Sequence, residues 1–251
     1  MATAARQGQQ RSRFYVRAGL FVIALSIIGF GASNLDRSLR FGLPSPLVVA
    51  HGATVMAFLV LFTRQAWLVA NGRLATHRKL GWVGAVLAVL IIVIGMAMSV
   101  ATSRRGHDLS GDIFRAVGGP ITPDAILIPA LSFFNFGVLV GAAILNRHRP
   151  AIHKRLMLLA ILQPMAIEPV HHLFGHIVGY APGIQVAFNA VNMAAIVALL
   201  SVSAVHDRWT EGRIHPVSLW VPIALFVELN VMLGLVLPSH AWQNLANRLI
   251  H

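Results

Sequence analysis

The sequence predicts an all-α fold: a polytopic membrane bundle of seven transmembrane helices. Three observations carry this. Hydrophobic residues make up 57% of the 251 residues and charged residues only 11%, a balance far from that of soluble domains. Seven apolar stretches, at 14–33, 46–70, 80–101, 125–145, 156–178, 184–205 and 217–237, are long enough to cross a bilayer. Basic residues crowd alternate loops between them. Hydrocarbon offers the backbone no hydrogen-bond partners, so each stretch must be helical.

The loop charges set the orientation. Arg6, Arg11, Arg13, Arg17, Arg73, Arg78, Lys79, Arg147, Arg149, Lys154, Arg155, Arg208 and Arg213 flank one set of span ends. The other set holds only Arg37, Arg40, Arg104, Arg105, Arg115 and Arg248. The positive-inside rule then predicts N-in, C-out topology. Orientation and contact with anionic lipid account for the formal net charge of +12, and no nucleic-acid motif accompanies it. The absence of cysteine excludes disulfides, thiolate metal sites and covalently attached haem.

In chain order, residues 1–13 are Gln-rich and basic and read as a loose cytoplasmic tail. The first span resembles a signal peptide in its basic start and small-residue end, and is expected to be retained. Leu43-Pro44-Ser45-Pro46 forbids a helix until the second span begins. That span carries His51 about one turn inside the outer boundary, with Arg64 near enough to the inner end to snorkel. The short segment 71–79 makes spans two and three a tight hairpin, as the next inner loop does for spans four and five. The hairpins share a weak repeat: Arg73-x-x-x-His77-Arg78-Lys79-Leu80 and Arg149-x-x-x-His153-Lys154-Arg155-Leu156. A third copy, Gly212-Arg213-Ile214-His215, has different spacing. Hairpins of like orientation are related by rotation about the membrane normal, so His77 and His153 are expected to meet across an axis. The outer loop 102–124, with Arg104, Arg105, Asp108 and Asp112, reads as a solvated cap. The transmembrane domain spans 14–237. The tail 238–251 is expected to be an outer interfacial helix, with Trp242, Leu245, Ala246 and Leu249 on its apolar stripe.

The fifth span holds the densest chemistry, with His153 at its basic end and Glu168, His171, His172 and His176 at the other. As one continuous helix it would place His153 and His171 ~27 Å apart on the same face. Glu168, His172 and His176 form a compact stripe suited to non-haem iron, copper or zinc, which His51 could complete. Two imidazoles from separate helices suit haem b instead: His51 with His171 or His172 at the outer end, His77 with His153 at the inner. The plainer alternatives are wetted interfacial histidines outside and positive-inside anchors inside. At mid-depth Asn135, Gln163, Asn192 and Glu228 stand out. Asn and Gln commonly join helices, whereas a carboxyl near the bilayer centre is expected to be neutral or paired. Glu228, Asn192 and Gln163 would then line a proton or quinone path. Pro164 and Pro169 are expected to bend the fifth span and free backbone carbonyls. No nucleotide loop or serine-nucleophile elbow is present.

The run VVAHGATVMAFLVLFTRQAWLVANGRLATHRKLGW, followed by RPAIHKRLMLLA and GRIHPVSLW, resembles a group of uncharacterised seven-helix bacterial inner-membrane proteins. That resemblance implies class and topology. A weaker one is to di-haem transmembrane cytochromes of the ascorbate-reducing type, which implies His51 with His171 or His172 as an outer pair and His77 with His153 as an inner pair. The inner histidines here lie in or beside loops, unlike that pattern. Haem-copper oxidase assembly factors are similar in their HKRLM-like helix starts. The expectation is a haem- or metal-binding protein in redox or electron transfer, partnered by lipid and by a membrane redox complex or quinone. The alternative is a non-enzymatic accessory subunit or assembly factor of a respiratory or photosynthetic complex.

Overall fold

A computed structural model describes residues 2–35, 42–109, 119–178 and 185–251. Every regular element among them is helical: α1 (Ala2–Leu35), α2 (Pro46–Ala70), α3 (Leu74–Arg105), α4 (Leu127–Leu145), α5 (Pro150–Leu162), α6 (Ile167–Val178), α7 (Gln185–Glu211), α8 (Pro216–Val231) and α9 (His240–Ile250). A 3-10 turn, Pro123–Ile126, leads into α4, and a π turn, Met232–Val236, prolongs α8. Seven helical segments are long and apolar enough to cross a membrane, with α5 and α6 together forming the fifth, so the chain is a multi-pass membrane protein.

Local chemistry sets the boundaries. Pro46 opens α2 at a position where its missing N–H costs nothing, and Ser45 Oγ caps the helix by accepting from the Val48 N–H at 3.3 Å. The turns after α2 and α7 each need a left-handed residue, supplied by Gly72 and Gly212, both at φ +70°. The basic leader is helical: Ala, Arg and Gln are good helix formers, and α1 runs unbroken from Ala2.

The fifth span departs from the expected single bent helix. It breaks over residues 163–166, because Pro164 and Pro169 remove the N–H groups that would bond back to Ala160 and Met165. The freed Met165 carbonyl accepts from Ser26 Oγ of α1 at 3.5 Å. A break also cancels the five-turn register between His153 and His171. On its near side, α5 is the centre of the bundle. Leu158, Leu159, Ala160 and Ile161 are all fully buried, so this helix is enclosed on every face, by α1, α4, α7 and α8.

Helix α1 approaches its neighbours through glycines. At Gly19 a Cβ would collide with the Thr63 hydroxyl of α2, and at Gly29 with the Pro169 carbonyl of α6, 2.8 Å from its carbon. In a bilayer, where apolar surface gains little by leaving lipid, such close contact is a main source of helix association. The opposite end is closed by α9. Trp242 Nε1 donates to the Asp124 carbonyl at 2.9 Å and Arg104 Nε to the Ile250 carbonyl at 2.8 Å. Its inward stripe is Trp242, Ala246 and Ile250, while Leu245 and Leu249 face outward. That outward pair leaves an apolar face for the membrane interface. Asp112 and Arg115 of the expected cap lie outside the described residues.

Gly29→Ala is expected to lower stability in detergent by about 1–3 kcal/mol through overpacking. Gly31→Ala, two residues on with nothing within 4 Å of its Cβ, is expected to leave it unchanged. Thermal unfolding of the two purified variants checks this.

Candidate functional site

The repeat seen in the sequence has a structural counterpart at the end of the bundle where the basic loops gather. Arg73 is the N-cap of α3 and Arg149 that of α5. His77 and His153 occupy the same place in the first turn, their N–H groups bonded to the Arg73 and Arg149 carbonyls at 3.1 and 3.0 Å. Their rings meet with centroids 6.3 Å apart and planes at 82°. The third copy diverges: His215 lies outside its helix and caps it.

Each imidazole is held differently. His153 Nδ1 lies 2.8 Å from the Ala143 carbonyl, so it carries the proton and leaves Nε2 with a lone pair. Ala143 is in the last turn of α4, where carbonyls have no partner within the helix. The backbone of His77 is fixed by Gln65 Nε2, which donates to its carbonyl at 3.1 Å. His77 Nδ1 and Gln65 Oε1 are both buried without a hydrogen-bond partner among the described residues. Orphaned polar atoms beside a second imidazole are the donor set of a small polar site. Rings this close could each offer a nitrogen to one small site. The two imidazoles would be the nitrogen donors for a bound ion or a haem iron.

What aims His153 is a buried ion pair absent from the candidate residues read in the sequence. Arg155, two residues on, is 1% exposed and grips Asp207 of α7 with Nε at 2.9 Å and Nη2 at 2.6 Å. Nη2 also donates to Glu211 at 2.9 Å and Nη1 to the Ala151 carbonyl at 2.7 Å. Asp207 further accepts from the His215 N–H at 3.2 Å. Two residues are about 200° around a helix, so tying Arg155 to α7 turns His153 toward α4 and α3. The available signal was that Asp207 and Glu211, one turn apart, are the only acids in the basic loops and their flanks. His206 beside them stacks on Phe14 of α1 with ring centroids 3.7 Å apart, joining that helix to this end.

Among the described residues the outer candidates have different neighbours. His51 of α2 packs edge-on against Phe133 of α4, in space left by Gly95 of α3. His172 is buried against Phe30 of α1, and His171 pairs with Asn192 of α7 at 3.0 Å. Glu168 is exposed, and the side chain of His176 lies outside the described residues. Among the described residues no three His, Asp or Glu side chains gather to hold a metal. The new helix after the break sends successive side chains about 100° apart, toward different neighbours. Nor do Glu228, Asn192 and Gln163 form a chain. Glu228 accepts from Asn135 Nδ2 across α8 and α4 at 2.9 Å, Asn192 serves His171, and Gln163 lies in the break with Oε1 buried and without a partner among the described residues.

Comparison with known proteins adds no identity. No family profile, curated protein or solved structure matches the chain.

Two expectations follow. Arg155→Gln leaves Asp207 buried without its cation and should cost about 3–5 kcal/mol. The double variant Arg155→Met/Asp207→Leu should recover most of that in denaturant titrations. The second concerns His215, whose Nδ1 caps α8 by accepting from the Val217 N–H at 3.1 Å. Burial, then the Arg155 charge, holds its pKa below the ordinary value. Its cap is therefore complete above about pH 6.5 and is lost as pH falls through the lowered folded value. His215→Asn, a cap that does not titrate, should flatten this acid limb in melts recorded across pH.

Proposed function

We propose that this is an integral membrane haem- or metal-binding protein with a redox role, its centre held by His77 and His153. The single observation behind the reading is the convergence of these two imidazoles from repeat-related helices, one with its free lone pair fixed by a backbone carbonyl. A ligating histidine usually donates its other nitrogen to such a carbonyl, which orients the ring and raises its basicity. Bound iron or copper would supply one-electron exchange. The chain's own part is to position: Ala143 fixes the His153 tautomer, Gln65 fixes the His77 backbone, and Arg155 sets the rotation of α5.

The excess of Arg and Lys at this end supports a cytoplasmic placement, with the chain N-in in a bacterial inner membrane, as the sequence resemblances imply. Because the outer imidazoles face separate neighbours, the reading is of one centre at one face, exchanging electrons with a membrane redox complex or quinone. A second reading, an accessory subunit of a respiratory or photosynthetic complex, draws on α8. Only 6% of the last span is buried, against 56% of the fifth, which leaves a flank for a lateral partner.

Visible spectra of the purified protein, oxidised and then reduced, together with elemental analysis, test this. Sharp reduced bands, or stoichiometric iron or copper without them, are expected. Either signal should vanish in His77→Ala and His153→Ala and persist in His51→Ala and His171→Ala. A featureless spectrum without metal would leave the accessory reading.

A further inference from the structure

The same end holds a second feature, independent of the redox reading. Arg13 and Arg17 lie one turn apart on α1, both exposed. Between them and the last turn of α2 is a cavity of about 220 Å³, lined by Arg13, Val16, Arg17, Trp67, Ala70 and Asn71. Trp67 in turn carries two more cations, the Arg64 guanidinium 4.2 Å and the Arg73 guanidinium 5.3 Å from its ring centroid. Among the described residues no carboxylate pairs with any of these four arginines. The acids of this end, Asp207 and Glu211, are engaged by Arg155 and Lys154.

Two arginines lining a cavity without an acid, with two more against the Trp67 ring that forms one of its walls, make a site for an anion, and guanidinium groups match phosphate oxygens in pairs. The depth argues for a lipid. Trp67 and the arginines lie where a span ends, at headgroup level, and the cavity's remaining walls are the apolar Val16 and Ala70. Asn71 adds one polar side chain to that lining, and below it Leu20 continues down α1 with 54% of its surface exposed, a path for an acyl chain. We propose that this cavity binds the phosphate headgroup of an anionic phospholipid, with Arg13 and Arg17 on the phosphate and Trp67 flanking the glycerol.

Native mass spectrometry of the detergent-purified protein, titrated with phosphatidylglycerol or with phosphatidylcholine of the same chains, tests it. One phosphatidylglycerol is expected to bind at least about tenfold more tightly than phosphatidylcholine. At ~5-fold for each arginine, Arg13→Gln/Arg17→Gln should weaken that adduct by about 25-fold. Arg147→Gln/Arg213→Gln, exposed at the same end but away from the cavity, should leave it unchanged. Should the first variant fail to fold, Arg64→Gln, on the other side of Trp67, is expected to weaken the adduct about fivefold. Equal retention of the two lipids, or wild-type binding by the cavity variants, overturns the proposal. Displacement of the adduct by millimolar inorganic phosphate overturns it too, since the ligand would then be a free anion.

Discussion

The Arg155–Asp207 pair is the constraint on which the basic end depends. A charge removed from both water and headgroups is costly unless its partner is fixed, and here a two-pronged grip, a second carboxylate and a helix carbonyl occupy most of the guanidinium donors. The pair does more than hold α5 to α7. Through the His215 N–H it reaches the start of α8, and through the neighbouring His206 it reaches Phe14 of α1. Four spans thus take their relative rotation from one polar knot, and the direction of His153 follows from it.

The broken fifth span separates the two ends of the molecule. On one side α5 is wrapped by apolar neighbours and its rotation is settled by Arg155. On the other, α6 begins afresh, its position set by the approach of Gly29 to Pro169 and by the Asn192–His171 bond. Imidazoles can converge at the first end because each comes from a different helix with a fixed rotation. At the second end His171 and His172 are adjacent on one helix, so the geometry that brings one inward toward α1 turns the other to α7.

Several polar residues within the spans join helices, while Thr54, Thr63, Ser99, Ser201 and Asn230 bond back to carbonyls of their own helix. Asn135 with Glu228, Ser203 with Ser218 at 2.8 Å, and Asn192 with His171 are cross-helix pairs. Among the described residues, His77 Nδ1, Gln65 Oε1 and His206 Nε2 at the basic end and His51 Nδ1 and Gln163 Oε1 elsewhere are buried without a hydrogen-bond partner. Beside His77 a second imidazole, that of His153, stands near.

The seven spans, their short turns and the likeness of the HRKL and HKRL helix starts were legible in the sequence, because hydropathy and helix-start chemistry act over a few neighbouring residues. The meeting of His77 with His153 was legible too, since a repeat implies equivalent positions. Convergence of His51 with the outer cluster was not decided there: it needed the rotation of α2 and the angle across the Pro164 break, which no local period encodes. The tertiary structure alone revealed that Arg155, outwardly one more basic anchor, is buried on an acid 52 residues away, while Lys79, its counterpart in the repeat, is exposed. Composition determined that the chain spans a membrane, because transfer free energy sums over residues. Which polar groups found partners was settled by packing, because a hydrogen bond or ion pair needs both of its ends in one place.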